Sequence, residues 1–197
     1  MLPQPESMRQ RLRRSTGDLH RRVEAAIALE SRLASLDAYR TLLERYLGLY
    51  RPVEAALAAL DWRLSGIDPL KRRKCAWLEA DLRDLGHSSA TLARVPPCAR
   101  IPEIDTAAAG LGCLYVLEGA TLGGRVILRR AGRTLGVHPG WGGRFFAGYG
   151  ARTGPMWRDC VAALNAIEAR SPAADAAEAA ARSLFLLFEE WVGCAPR

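Results

Sequence analysis

Apolar residues recur at three- and four-residue steps along most of this chain, and no stretch alternates apolar with polar in the two-residue rhythm of a half-buried strand. The pattern predicts a succession of amphipathic helices. The first runs from Pro5 to about Leu29, with Leu12, Leu19, Val23, Ala26 and Ile27 as its apolar stripe. A break at Ser31–Ser35 leads to a second, from about Leu36 to near Leu60, with Leu42, Leu43, Tyr46, Leu47 and Tyr50 inward. Pro52 predicts a kink or a junction in it, because proline removes a helix donor. A turn at 65–69 opens a third helix from about Leu70 to Leu85, with Cys75, Leu78 and Leu82 on its apolar side. Prolines at 96, 97 and 102 mark the next segment as a connector. Asp105 and Thr106 then cap a long apolar stretch. A turn follows at 138–143, then a short helix over Gly143–Tyr149 and a helix from Ala151 to about Arg170. A last helix covers Pro172–Val192. The expected fold class is all-α, a single-domain helical bundle over residues 1–197.

The stretch Ala107–Arg130 is the anomaly in this pattern. Its spacing is helical, yet glycine stands at 110, 112, 119, 123 and 124. Each glycine inside a helix costs roughly 1 kcal/mol relative to alanine. Gly119 and Gly123 are four residues apart and share a face, which offers bare backbone to a partner helix or a flat ligand. A membrane span would need about 20 apolar residues, and Glu118 and Arg125 in mid-segment oppose one. Close packing of two soluble helices remains a full alternative. A phosphate loop is excluded, since GATLGG lacks the Lys-Ser/Thr ending and a preceding strand.

Composition narrows the possibilities modestly. Lys plus Arg number 28 against 21 Asp plus Glu, a formal charge of +7. That excess suits an anionic partner, but no basic run alternates with aromatics and no nucleic-acid motif occurs, so nucleic acid is not expected. Five cysteines, widely spaced and never in a CxxC pair, suggest reduced thiols in a cytoplasmic protein. The N-terminus lacks the apolar core of a signal peptide.

Three histidines are available for chemistry. His87 and His138 fall in turn-forming segments and are expected at the surface. His20 lies on a helix beside the apolar stripe, with Glu24 one turn on. It is either a hydrogen-bonded core histidine or a single axial metal ligand, oriented by a carboxylate on its other ring nitrogen. One histidine cannot build a zinc site, and no Glu-x-x-His pair is present for a di-iron centre. It can suffice for haem, whose porphyrin supplies the four equatorial nitrogens. A macrocycle between His20 and the Gly119–Gly123 face would also account for the glycines.

LRRSTGDLHRRVE (Leu12–Glu24), YVLEGATLGGRVI (Tyr115–Ile127) and GYGARTGPMWR (Gly148–Arg158) resemble, in that order, segments of the heme oxygenase family, particularly its bacterial branch associated with bacteriophytochromes. The resemblance covers about residues 9–192. It implies a fold with haem between a proximal N-terminal helix and a glycine-rich distal helix. It implies His20 as the proximal iron ligand with Glu24 as its hydrogen-bonding partner. Gly119 and Gly123 would lie on the distal face, with Thr121 and Leu122 nearby. Arg13 takes the place of a basic contact to the haem propionates, and Tyr115 and Arg158 are further candidates for that edge. The implied activity is oxygen-dependent opening of haem b, cofactor and substrate at once, to biliverdin, carbon monoxide and ferrous iron. Molecular oxygen is the co-substrate, and electrons come from a ferredoxin or flavoprotein, since no flavin or nicotinamide motif is present. A bacteriophytochrome is an implied recipient of the product. One departure stands out: Ala120 occupies the place of an aspartate that orders water in the animal enzymes, while Glu118 points to another side of the helix. That departure keeps open a haem-binding or haem-trafficking protein without turnover. A helical enzyme acting on a small heterocycle and a scaffold without cofactor are the remaining alternatives.

Overall fold

The computed structural model describes residues 6–193 and is helical throughout, with no β-strand among the described residues. The predicted start of the first helix at Pro5, and Cys194, lie outside that range. Helix α1 (Met8–Ile27) begins at a capping box in which Ser7 and Gln10 satisfy each other's backbone donors. Its buried face is Met8, Leu12, Thr16, Leu19, Val23 and Ile27. The predicted break at Ser31–Ser35 begins with a short helix, α2 (Leu29–Arg32), because Ala28 adopts the left-handed conformation and restarts the chain at once.

Helix α3 (Leu36–Ala58) is capped by Ser35 and continues through Pro52. Proline leaves the Gly48 carbonyl without its helical donor, and the Cys98 backbone N–H supplies one at 2.8 Å from the connector. The connector therefore folds across α3. It also brings His87 to Glu44, Nε2 to Oε1 at 2.7 Å, with the imidazole only 12% exposed. His87 is thus a partly buried hydrogen-bonding partner of Glu44 and not the surface residue its Gly-Ser-rich neighbourhood predicts, while His138 is exposed.

The predicted third helix is divided. A 3-10 turn at Pro69–Arg72 precedes α4 (Cys75–Asp84), because the buried Glu54 carboxylate draws in the Lys74 N–H at 2.5 Å and turns the chain there. The connector holds one further short helix, α5 (Ser89–Ala93), started by a Ser88–Thr91 capping box too local to leave an apolar period. Helix α6 (Ala107–Leu135), capped by Thr106, continues five residues past the predicted Arg130 and stops where Gly136 takes φ +72°. Next come α7 (Arg144–Ala147), a 3-10 turn at Gly150–Arg152, and α8 (Thr153–Asn165). Helix α8 ends short of the predicted Arg170, where the Asn165 side chain accepts a bond from the Arg9 backbone. Helix α9 (Pro172–Leu187), capped by Ser171, runs into a π-turn at Phe188–Val192.

Helix α6 is the spine. It packs along α9, α8 and α7, while α1 packs on α9 and α8. It is the helix long and apolar enough to cross a membrane, at mean hydropathy 1.4 over 18 residues, but half of that window is buried in the bundle. Its mid-helix Glu118 is 1% exposed and paired with Lys74. These features make it a core helix.

Candidate functional site

Sorting the glycines of α6 by what surrounds them separates packing from site. A Cβ at Gly112 would collide with the Ala177 carbonyl of α9, which is how the α9 stripe Ala174, Ala177 and Ala181 comes so close. A Cβ at Gly110 would lie 2.8 Å from Leu60 and Trp62, and one at Gly124 would lie 2.9 Å from the Phe146 carbonyl. These three serve close packing. Gly119 and Gly123 do not: at Gly123 a Cβ would meet nothing within 4 Å, and at Gly119 only the Trp157 ring, at 4.0 Å. Both border a cavity of about 590 Å³ between α1 and α6. That volume lies within the roughly 300–1,000 Å³ common for small-molecule and cofactor sites.

The cavity has two unlike walls. On one side α1 presents His20, Val23, Glu24 and Ile27; on the other α6 presents bare backbone at Gly119 and Gly123, flanked by Ala120 and Val126. Phe185 and Phe188 from the end of α9, Tyr46 from α3 and Trp157 from α8 close the ends. The π-turn begins at Phe188, three residues after Phe185, and both rings reach the same space. His20 Nδ1 is 3.6 Å from Glu24 Oε1, beyond hydrogen-bond length but in ion-pair range. The Phe185 ring supports the imidazole edge-on at 6.0 Å. Nε2 has no protein partner among the described residues, so it is available to a ligand. Both side chains are exposed, which puts the open edge of the cavity along α1.

The tyrosines behave as neutral groups. Burial pushes the Tyr46 phenol well up, and burial raises Tyr115 as well against the opposing pull of Thr16, Arg9 and Arg13. Tyr115 packs on Trp157 with ring centroids 5.5 Å apart, forming one end of the distal wall.

A mostly apolar cavity with one free imidazole opposite helix backbone that carries no side chain has the chemistry to take a haem: the space beyond both cavity glycines is open. A family profile described as heme oxygenase matches residues 6–193. The chain belongs to the heme oxygenase family. The heme oxygenase PigA of Pseudomonas aeruginosa is 33% identical over 83% of this chain and 83% of its own length. The fold is shared with the heme oxygenase of Neisseria meningitidis, solved with NO and CO bound, at TM-score 0.78 and 21% identity over 94% of this chain and 90% of that one. The heme oxygenase of Leptospira interrogans gives a TM-score of 0.75 at 18% identity, over 95% and 99% of the two chains.

Against this heme oxygenase frame, the residues singled out in the sequence divide. His20, Glu24, Tyr115, Gly119 and Gly123 all line the cavity. Thr121 and Leu122 do not. Thr121 is buried on another side of α6, donating to the Leu117 carbonyl at 2.8 Å and packing on Gly148, whose φ of +59° brings its backbone close. Leu122 is 38% exposed on the outside of the helix. Arg13 is exposed on α1, near the Tyr115 hydroxyl, and Arg158 is exposed on α8; neither lines the cavity. The arginine that does line it is Arg130. It lies seven residues after Gly123, on the same helical face, so periodicity alone could have found it. Reading the basic contacts from the α1 and α8 motifs passed over it.

Proposed function

We propose that this heme oxygenase holds haem b between His20 and the Gly119–Gly123 backbone and opens it to biliverdin. The observation that carries the proposal is the pairing of a free imidazole with two helix glycines whose missing side chains face open space. His20 would hold the iron through its free Nε2, with the Glu24 carboxylate 3.6 Å from Nδ1 on the side from which it would orient the ring. Bound haem supplies the metal that takes molecular oxygen and the ring that is oxidised, with electrons from an external reductant. The protein's part is placement. Gly119 and Gly123, lacking side chains, would leave room on their face of the ring for a small ligand beside the helix backbone. Phe185, Phe188 and Trp157 would shield the ring from bulk water, with Val126 at the exposed rim. Arg130 is the cation placed to pair with a propionate, in the role the motifs had offered to Arg13, Tyr115 and Arg158.

Ala120 brings only a methyl group to the cavity, so polar handling of the oxygen side falls to backbone groups and solvent. Thr121 and Leu122 contribute to the helix and not to the haem face. The positive surface favours an acidic ferredoxin or flavoprotein donor, and a bacteriophytochrome suits the released biliverdin. The free thiols Cys75, Cys98, Cys113 and Cys160 are in keeping with a cytoplasmic enzyme, and the described residues 6–193 with a single domain.

The test is a single-turnover experiment. Hemin-loaded protein given a reductant in air should lose its Soret band and yield biliverdin. A persistent oxygenated complex with no bilin would make the chain a haem carrier instead.

A further inference from the structure

Directly behind the Gly119 backbone, on the side of α6 away from the cavity, lies a buried charge cluster that the haem site does not use. Glu118 Oε1 accepts from Lys74 Nζ at 2.9 Å and from the Tyr149 hydroxyl at 2.7 Å, and its Oε2 is 3.5 Å from Arg72. Glu118 and Lys74 are each 1% exposed, and Arg72 is 5%. Lys74 Nζ also donates to the Arg72 carbonyl at 3.1 Å. Arg72 in turn donates to the Met156 carbonyl at 3.0 Å. The buried Glu54 lies beside the cluster, holding the Lys74 backbone N–H at 2.5 Å with one oxygen while the exposed Arg73 guanidinium stands 3.8 Å from the other.

Burying four charges is weak evidence for stability, because desolvation offsets most of the attraction. What such a cluster supplies is direction: every partner must sit at one distance and angle. The elements it joins are informative. Glu118 is the residue before Gly119, and Met156 is the residue before Trp157. Gly119 and Trp157 are the facing pair across the floor of the cavity, where a Cβ on the glycine would be 4.0 Å from the indole. One network therefore grips the α6 wall and the α8 end of the cavity, in each case one residue away from the point where Gly119 and the indole approach. Tyr149 adds the loop that follows α7, and burial together with the Glu118 charge pushes its phenol well up, so it stays a donor.

The structure assigns Glu118 as a positioning residue: clamped by Lys74, Arg72 and Tyr149, it sets the distance of the Gly119 backbone from the ligand face opposite Trp157. This rests on the haem reading above and deepens it, since Glu118 itself touches no ligand. It also gives this chain a means, other than a polar side chain at position 120, of fixing what a small distal ligand meets.

The experiment reads the C–O stretch of the ferrous–CO complex in the hemin-loaded full-length protein, alongside hemin affinity. Tyr149→Phe removes one bond to Glu118 without stranding a charge; Glu118→Gln weakens all three; Tyr50→Phe is the control. Tyr50 loses a more deeply buried hydroxyl beside the same cluster, but one that makes no hydrogen bond. Expected is an unchanged hemin affinity with a shifted or split C–O band in Tyr149→Phe, a larger change in Glu118→Gln and none in Tyr50→Phe. Should Glu118→Gln fail to fold, Tyr149→Phe against Tyr50→Phe carries the comparison. A C–O band unmoved in Tyr149→Phe, or moved as much in Tyr50→Phe, overturns the assignment. If the wild-type protein itself gives no histidine-ligated haem spectrum, the haem reading has failed and the positioning role falls with it, a result visible before any variant is made.

Discussion

Two glycines of one helix should respond with opposite signs to the same substitution. Gly112→Ala and Gly123→Ala each replace a helical glycine of α6 with the best helix former, which by propensity alone adds about 1 kcal/mol. At Gly123 nothing opposes that gain, because the new methyl group meets no atom within 4 Å. The apo protein should therefore be stabilised by about 1 kcal/mol, which for a chain of this size raises Tm by roughly 2–4 °C. At Gly112 the methyl group runs into the Ala177 backbone of α9, which cannot rotate aside as a side chain can. Overpacking of that kind costs about 1–3 kcal/mol, and here it is added against buried backbone, so the upper part of that range applies. The propensity gain is common to both, so the two variants should differ by the overpacking cost alone, about 2–3 kcal/mol in thermal or denaturant unfolding of the haem-free protein. Hemin affinity should follow the reverse order of merit: Gly123→Phe, whose ring would enter the cavity, should fold and yet bind hemin poorly. Equal destabilisation by both alanines would show that α6 glycines are all packing residues. A stable Gly123→Phe variant with undiminished hemin binding would remove that face from the site.

The same reasoning yields two further tests. Arg130→Ala should weaken hemin binding about tenfold, the loss of one charge-assisted contact, while Arg158→Ala should leave it unchanged; spectral titration of both variants decides whether the cavity edge or the α8 motif holds the propionates. Burial pushes the Cys113 and Cys160 thiols up to about 12, an upward shift that leaves roughly one molecule in ten thousand as thiolate at pH 8. Peptide-level mass spectrometry after alkylation at pH 8 should find both unmodified until the protein is unfolded, and rapid native labelling would contradict their placement in the core.

Helix existence was legible because it rests on local period, and the cap at Thr106 with it; the caps Ser35 and Ser171 emerge only at the starts of α3 and α9 in the fold. What was not legible depends on partners distant in sequence. Lys74 and Glu118 are 44 residues apart, and nothing local announces that a lysine and a glutamate in apolar surroundings will meet in the core. Glu54, twenty residues before the backbone it caps, divides a helix that its own period would have kept whole. His87 is drawn from the surface by Glu44 for the same reason. The glycines illustrate the limit most sharply. Sequence shows that α6 tolerates five in its first 24 residues, but close packing and a ligand face predict the same letters. Only the neighbours of each missing Cβ separate Gly110, Gly112 and Gly124 from Gly119 and Gly123. Arg130 is the opposite case, a residue whose seven-step spacing from Gly123 was visible and unused.

The central claim is that one imidazole on α1 faces bare backbone on α6 across a haem-sized gap. Titrating hemin into the wild-type protein and His20→Ala, and recording the ferric and ferrous–CO spectra of each, tests it most directly. The account predicts one equivalent of hemin with a histidine-ligated spectrum in the wild type, and loss of that spectrum in His20→Ala with recovery when free imidazole is added. An unchanged histidine-ligated spectrum in His20→Ala would mean that another residue holds the iron and that the slot between α1 and α6 is not the haem site.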